Sequence, residues 1–148
     1  MNTNTKLPIK KLYLILISCS VIIFAASLEV MFRVKDLQLF DSWLTQNEIT
    51  GNRADLFSNY VSLNLSVFVS KIIVPVSFAI YTYFAYVKIR INQLYVFMWM
   101  VLNLGGLAYT IIEFNFASPM YYLMILSYAV CIMTLVTLVD DIRANKSK

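Results

Sequence analysis

Four long stretches of the chain are almost entirely apolar, and more polar segments separate them. The stretches cover residues 12–32, 68–87, 94–112 and 120–139. A helix rises about 1.5 Å per residue, so about 20 apolar residues cross the roughly 30 Å hydrocarbon layer of a membrane. The stretches lack the alternation of apolar and polar residues that the strands of a membrane barrel show. We therefore predict an all-α integral membrane protein, with residues 1–148 forming one transmembrane domain built as a four-helix bundle.

The outer segment, residues 33–67, separates the first two stretches and has a different pattern. Four apolar residues in it recur at the spacing of one helical face: Leu37, Phe40, Trp43 and Leu44. Because polar residues fill the positions between them, we expect a short amphipathic helix lying on the extracytoplasmic membrane surface. Asn52 is a residue type that caps helices, so the second long helix is expected to begin well before its membrane span.

The basic residues indicate the orientation of the helices, because Lys and Arg near the ends of spans stay on the cytoplasmic side. With a cytoplasmic N-terminus, the inner flanks hold Lys6, Lys10, Lys11, Lys88, Arg90, Arg143, Lys146 and Lys148. The outer flanks then hold the smaller set of Arg33, Lys35 and Arg53. We therefore expect a multi-pass protein of a cell membrane, with both termini in the cytoplasm.

The first apolar stretch also has features of a secretory signal peptide. It follows Lys10 and Lys11, and the small residues Ala25, Ala26 and Ser27 resemble a cleavage site. Its apolar run is longer than the 7 to 15 residues of a typical signal core. A helix that is retained is therefore the preferred interpretation.

Composition narrows the classes of function. Hydrophobic residues make up 60% of the chain and the mean hydropathy is +0.72, whereas a soluble domain is about 45 to 50% apolar. The absence of histidine excludes His-based triads, His-ligated haem and most catalytic zinc sites. Cys19 and Cys131 do not form a CxxC motif, but their similar depth lets them meet if the first and fourth spans are neighbours. We expect no cofactor, no metal ion and no enzymatic activity.

Three charged residues at one depth form the candidate functional site. Glu29 and Lys71 each lie three residues inside the outer end of a span, and Glu113 directly follows the third span. Because a charge within a span is costly, an ion pair between Glu29 and Lys71 is expected. The hypothesis is an outward-facing polar pocket for a proton, a cation or a lipid headgroup. The alternative is that these charges only hold helices together near the interface.

Two surfaces are candidates for binding another protein. The first is the amphipathic segment around Phe40 and Trp43. The second is the pair Gly105 and Gly106, because small residues let another helix approach closely. Packing inside the bundle is the alternative role for the two glycines.

These features predict a small protein that acts by binding another membrane protein, as an accessory, regulatory or immunity-type subunit. The protein partner is expected to be another membrane protein or a second copy of this chain. The alternative is an oligomeric transporter or channel subunit that uses Glu29, Lys71 and Glu113. A membrane enzyme acting on lipids is a third hypothesis, which the missing acid, base and metal groups disfavour. The net charge of +4 is dispersed over segment ends, so the bilayer and not nucleic acid is the other expected partner.

Overall fold

Five α-helices make up the structure, a computed structural model that describes residues 6–89, 91–113 and 118–146. The helices are α1 (Ile9–Lys35), α2 (Leu37–Gln46), α3 (Arg53–Val87), α4 (Gln93–Ile112) and α5 (Pro119–Lys146). All of them except α2 are long and apolar enough to cross a membrane. Within these described residues, the prediction of an all-helical fold with four such helices is therefore confirmed. Arg90, Lys148 and residues 114–117, between α4 and α5, lie outside the described residues.

The helices begin and end where local capping groups satisfy the backbone. Asp36 ends α1 and caps α2, because its Oδ1 accepts hydrogen bonds from the backbone N–H groups of Gln38 at 2.9 Å and Leu39 at 3.3 Å. Asn52 caps α3 in the same way, with its Oδ1 3.1 Å from the backbone nitrogen of Ala54. The expected early start of this helix is thus confirmed, and α3 runs for 35 residues.

The four long helices run alternately up and down. At one end, Lys11 near the start of α1 forms a 2.7 Å ion pair with Asp141 in the last turns of α5. We call this the termini end of the bundle and the opposite end the α2 end. Helix α1 packs extensively against both α3 and α5, and α4 packs against α5. The contact between α3 and α4 is smaller, so the bundle is least tightly closed along that edge.

The core of the bundle contains two clusters of buried apolar residues. The cluster nearer the termini end includes Ile15, Cys19, Phe78, Trp99, Cys131 and Leu135. The cluster nearer the α2 end includes Ile22, Ala25, Ala26, Met124 and Tyr128. Cys19 and Cys131 are both buried in the first cluster, in agreement with the expectation that they can meet if α1 and the last long helix are neighbours.

Helix α2 is held against α3 through Phe40. This side chain is only 1% exposed, and its ring centroid lies 5.2 Å from that of Phe57 and 5.4 Å from that of Tyr60. An ion pair of 2.7 Å between Arg53 and Asp41 joins the same two helices. Phe40 therefore packs within its own chain and is not available on the surface proposed for a partner.

Replacing Phe40 with Ala is expected to release α2 from α3. The loss of a buried aromatic side chain costs roughly 3 to 5 kcal/mol, which is enough to populate an undocked helix. Hydrogen exchange followed by mass spectrometry should show faster exchange in Leu37–Gln46 and unchanged exchange in α1. Leu39→Ala is the matched control because that side chain is already half exposed. Equal exchange in the two variants would contradict the anchoring role of Phe40.

Candidate functional site

The three predicted charges meet at the α2 end of the bundle, and a fourth joins them. The Nζ atom of Lys71 lies 2.6 Å from Oε2 of Glu29 and also forms an ion pair with Glu113. Nη2 of Arg33 lies 3.0 Å from Oε1 of Glu29. The expected ion pair is therefore present. We call Arg33, Glu29, Lys71 and Glu113 the ionic network.

The ionic network is largely removed from the surface. The side chains of Glu29 and Lys71 are each 5% exposed, that of Glu113 is 17% exposed and that of Arg33 is 32% exposed. Two formal positive charges face two negative ones, so the network is neutral as a whole. Removing one member of such a buried pair costs about 3 to 5 kcal/mol, because the remaining charge stays buried without compensation.

Local sequence explains why these side chains converge. Glu29 and Arg33 are four residues apart, so both lie on one face of α1. Pro75 follows Lys71 by four residues in α3 and cannot donate the helical hydrogen bond to its carbonyl. Glu113 directly follows α4, where the negative end of the helix dipole disfavours an anion. The Lys71 ammonium offsets that unfavourable position.

Arg33 is the member of the ionic network that sequence reasoning missed. A basic residue just outside a span is typical of an orientation signal, which is the role that the sequence pattern indicates for Arg33. Its spacing of four from Glu29 was the available signal for an ion pair within α1. The network therefore has a second, less buried cation, at Arg33.

The two glycines of α4 have different surroundings. A Cβ atom built on Gly106 would lie 2.7 Å from the hydroxyl of Tyr128, so this glycine makes room for a buried ring of α5. A Cβ atom built on Gly105 would meet nothing within 4 Å. Gly106 thus serves packing inside the bundle, while Gly105 faces open space.

That open space is a groove of about 370 Å³ between α3 and α4, which we call the lateral groove. Its lining includes Ser70, Lys71, Val101, Gly105, Tyr109 and Tyr128. The groove lies along the edge where α3 and α4 pack least extensively. One side of the ionic network therefore borders a largely apolar surface groove.

A stripe of serines on α3 was also missed. Ser58, Ser62, Ser66 and Ser70 follow one another at intervals of four and are all exposed. The hydroxyls of the last three each donate to the carbonyl of the preceding serine, at 2.9, 2.9 and 3.0 Å. The spacing of four was visible in the sequence. The stripe gives α3 a small-residue face that ends in the lateral groove.

A second cavity, of about 480 Å³, lies between α2, the end of α1 and the first half of α3. We call it the vestibule. Trp43 lines it, with its ring centroid 5.4 Å from that of Tyr60. Arg33 and Asn64 line both the vestibule and a smaller cavity that also reaches Glu29 and Lys71. The vestibule therefore leads towards the ionic network from the α2 end.

The chain matches no known family model, no curated protein and no solved structure. Within residues 6–89, 91–113 and 118–146, no group of three or more His, Cys, Asp or Glu side chains is placed to hold a metal ion. The ionic network, the lateral groove and the vestibule are therefore the features from which a function is inferred.

Replacing Lys71 with Met is expected to destabilise the bundle by about 3 to 5 kcal/mol, because Glu113 loses its cation. Glu113→Gln should cost less, since its side chain is more exposed. Thermal unfolding in a mild detergent, followed by circular dichroism, measures both effects.

Adding Glu113→Gln to the Lys71→Met variant should raise its unfolding temperature, because Arg33 and Glu29 then remain as a balanced pair. A double variant that is less stable than Lys71→Met would show that the two residues are not coupled.

Proposed function

We propose that the chain is an integral protein of a cell membrane, with α1, α3, α4 and α5 spanning the bilayer and both termini in the cytoplasm. The length and apolar character of these helices support this proposal. Large apolar side chains such as Phe24, Phe97 and Met133 are exposed on the outside of the bundle, as lipid contact favours. In this orientation, α2 and the ionic network lie at the extracytoplasmic interface.

We further propose that the protein acts by binding another membrane protein, as an accessory, regulatory or immunity-type subunit. The occupant of the lateral groove in this proposal is a transmembrane helix of that partner. The observation that carries the proposal is the open face of Gly105, which leaves the α4 backbone accessible from the groove. Helices in hydrocarbon associate through close backbone approach at small residues.

The polar groups of the groove favour a helix over a lipid chain as the occupant. The hydroxyl-bearing residues Ser70 and Tyr109 line the groove. The stripe of serines extends from Ser70 along α3, so the small-residue surface continues beyond the groove. A lipid acyl chain has no group that hydrogen-bonds these hydroxyls, whereas side chains of a partner helix do. Helix α3 also leaves more of its surface uncovered than the other long helices. Of its most apolar stretch of residues, 17% is buried inside the bundle, against 39% for α1 and α5.

The alternative proposal, an oligomeric transporter or channel subunit, depends on a role for the ionic network in moving a substrate. The charges of Glu29, Lys71 and Glu113 are engaged with one another and with Arg33. Next to the network, the interior of the bundle is filled by an apolar cluster that includes Ile22, Ala25, Met124 and Tyr128. Both observations favour a network that joins helices, so partner binding is the preferred function.

Gly105→Leu is expected to lower partner capture by about tenfold or more, because a leucine side chain fills the groove that a partner helix would enter. The bundle itself should remain folded, since a Cβ at this position meets nothing within 4 Å. Purification in native nanodiscs, followed by quantitative mass spectrometry of the retained proteins, measures capture.

Ala108→Leu is the matched control, because Ala108 is a small exposed residue of the same helix outside the groove lining. It should retain the partner at the wild-type ratio. Equal capture by both variants would exclude the lateral groove as the binding site. A pure homo-oligomer without any second protein would instead favour the transporter proposal.

The proposed orientation predicts which connections are accessible from outside the cell. Proteinase K added to intact cells or right-side-out vesicles should cut between α2 and α3 and leave the connection between α3 and α4 intact. Inverted vesicles should give the opposite pattern. Cleavage between α3 and α4 from outside would overturn the assignment of cytoplasmic termini.

A further inference from the structure

The vestibule combines one cationic group with an apolar wall. Its volume of about 480 Å³ falls within the roughly 300 to 1,000 Å³ typical of small-molecule sites. Leu39, Leu63 and Val67 supply apolar surface, while Ser42 and Asn64 supply polar groups. A ligand that fits this lining has a polar head and an apolar tail.

Arg33 is placed to bind an anion in the vestibule. Its Nη2 bonds to Glu29, and its other guanidinium donors form no hydrogen bond to any residue that the structure describes. A guanidinium offers parallel donors that match the oxygens of a phosphate group. Because its side chain is 32% exposed, Arg33 can contact a ligand without leaving the ionic network.

Glu29 already binds one nitrogen of Arg33, and the other carboxylates near the vestibule have partners of their own. Asp36 accepts the first N–H groups of α2, and Asp41 is paired with Arg53. Of the described residues that line the vestibule, none is acidic. The local chemistry therefore favours an anionic group over a cation.

We propose that the vestibule binds the phosphate of a glycerophospholipid from the extracytoplasmic leaflet. In this arrangement Arg33 holds the phosphate, Ser42 and Asn64 face the polar head, and an acyl chain lies along Leu63 and Val67. The aromatic rings of Trp43 and Tyr60 suit the depth of lipid headgroups. The inference rests on the proposed membrane location and not on the proposed partner.

The test compares two lipids that differ only in the phosphate-containing head. The purified protein in mild detergent is incubated with dioleoyl phosphatidylglycerol or with dioleoylglycerol, and native mass spectrometry counts the retained lipid. We expect one phosphatidylglycerol per chain and little dioleoylglycerol. Equal retention of the two would overturn the proposal, and so would displacement of the lipid by millimolar inorganic phosphate, which would assign the site to free phosphate.

Variants at two neighbouring basic residues test the role of Arg33. Arg33→Gln should lower phosphatidylglycerol retention about tenfold, the effect of losing one charge-assisted hydrogen bond. Lys35→Gln removes the same charge two residues away, outside the vestibule lining, and should retain the lipid. An equal loss in both variants would show a general charge effect and contradict a specific site.

A second pair of variants avoids any change to the ionic network. Ser42→Phe should fill the vestibule and abolish retention, although Ser42 bonds only to the carbonyl of Gln38 in its own helix. Thr45→Phe is the control, because Thr45 makes the same kind of bond to Asp41 and lies outside the vestibule lining. Equal retention by these two variants would contradict the proposal.

The Gly105→Leu variant separates this inference from the proposed function. It should keep its phosphatidylglycerol while losing its protein partner, because the lateral groove and the vestibule have different linings. A wild-type chain that captures a partner but retains no phosphatidylglycerol would refute the lipid site alone.

Discussion

The arrangement of three helices depends on one buried ammonium group. Lys71 on α3 forms ion pairs with Glu29 on α1 and with Glu113 at the end of α4. Such a charge is too costly to bury without its partners, so any sliding of one helix past another would expose or isolate it. The ionic network therefore sets the relative height of α1, α3 and α4, which apolar packing alone would specify only weakly.

That fixed height has consequences on both sides of the network. Helix α3 is held mainly by α1, and α4 is held mainly by α5, so the space between α3 and α4 remains partly open. Tyr128 packs against Gly106 at the back of this space, and Gly105 faces it. On the other side, Glu29 orients Arg33 towards the vestibule. The two candidate binding surfaces thus both border the ionic network, the lateral groove at Lys71 and the vestibule at Arg33.

The sequence predicted the features that depend on length and depth. The apolar runs identify the four long helices, Asn52 identifies the start of α3, and counting from span ends places Glu29, Lys71 and Glu113 at one level. The expected ion pair between Glu29 and Lys71 predicted that α1 and α3 are neighbours. The other helix contacts could not be predicted, because helices that are apolar on every face carry little signal for a preferred side.

The same limit explains the differences at single residues. Gly105 and Gly106 look equivalent in sequence, and only the position of Tyr128 distinguishes them. The amphipathic pattern around Phe40 is the same whether this side chain faces lipid or packs against α3. The ring contacts with Phe57 and Tyr60 show that it packs against α3. The ion pair between Arg33 and Glu29 could have been predicted from the sequence, because the two residues lie four positions apart in one helix.

The ion pair between Lys11 and Asp141 joins residues separated by 130 positions and bears on the order of assembly. Of the five helices, α1 is synthesised first and α5 last, and in the proposed membrane location the helices insert before they pack together. The face of α1 that carries Cys19 therefore cannot be fully packed until α5 has been synthesised. All members of the ionic network are present once α4 and Glu113 have been synthesised. During biosynthesis, the charged contacts near α2 would form before the bundle closes around its core.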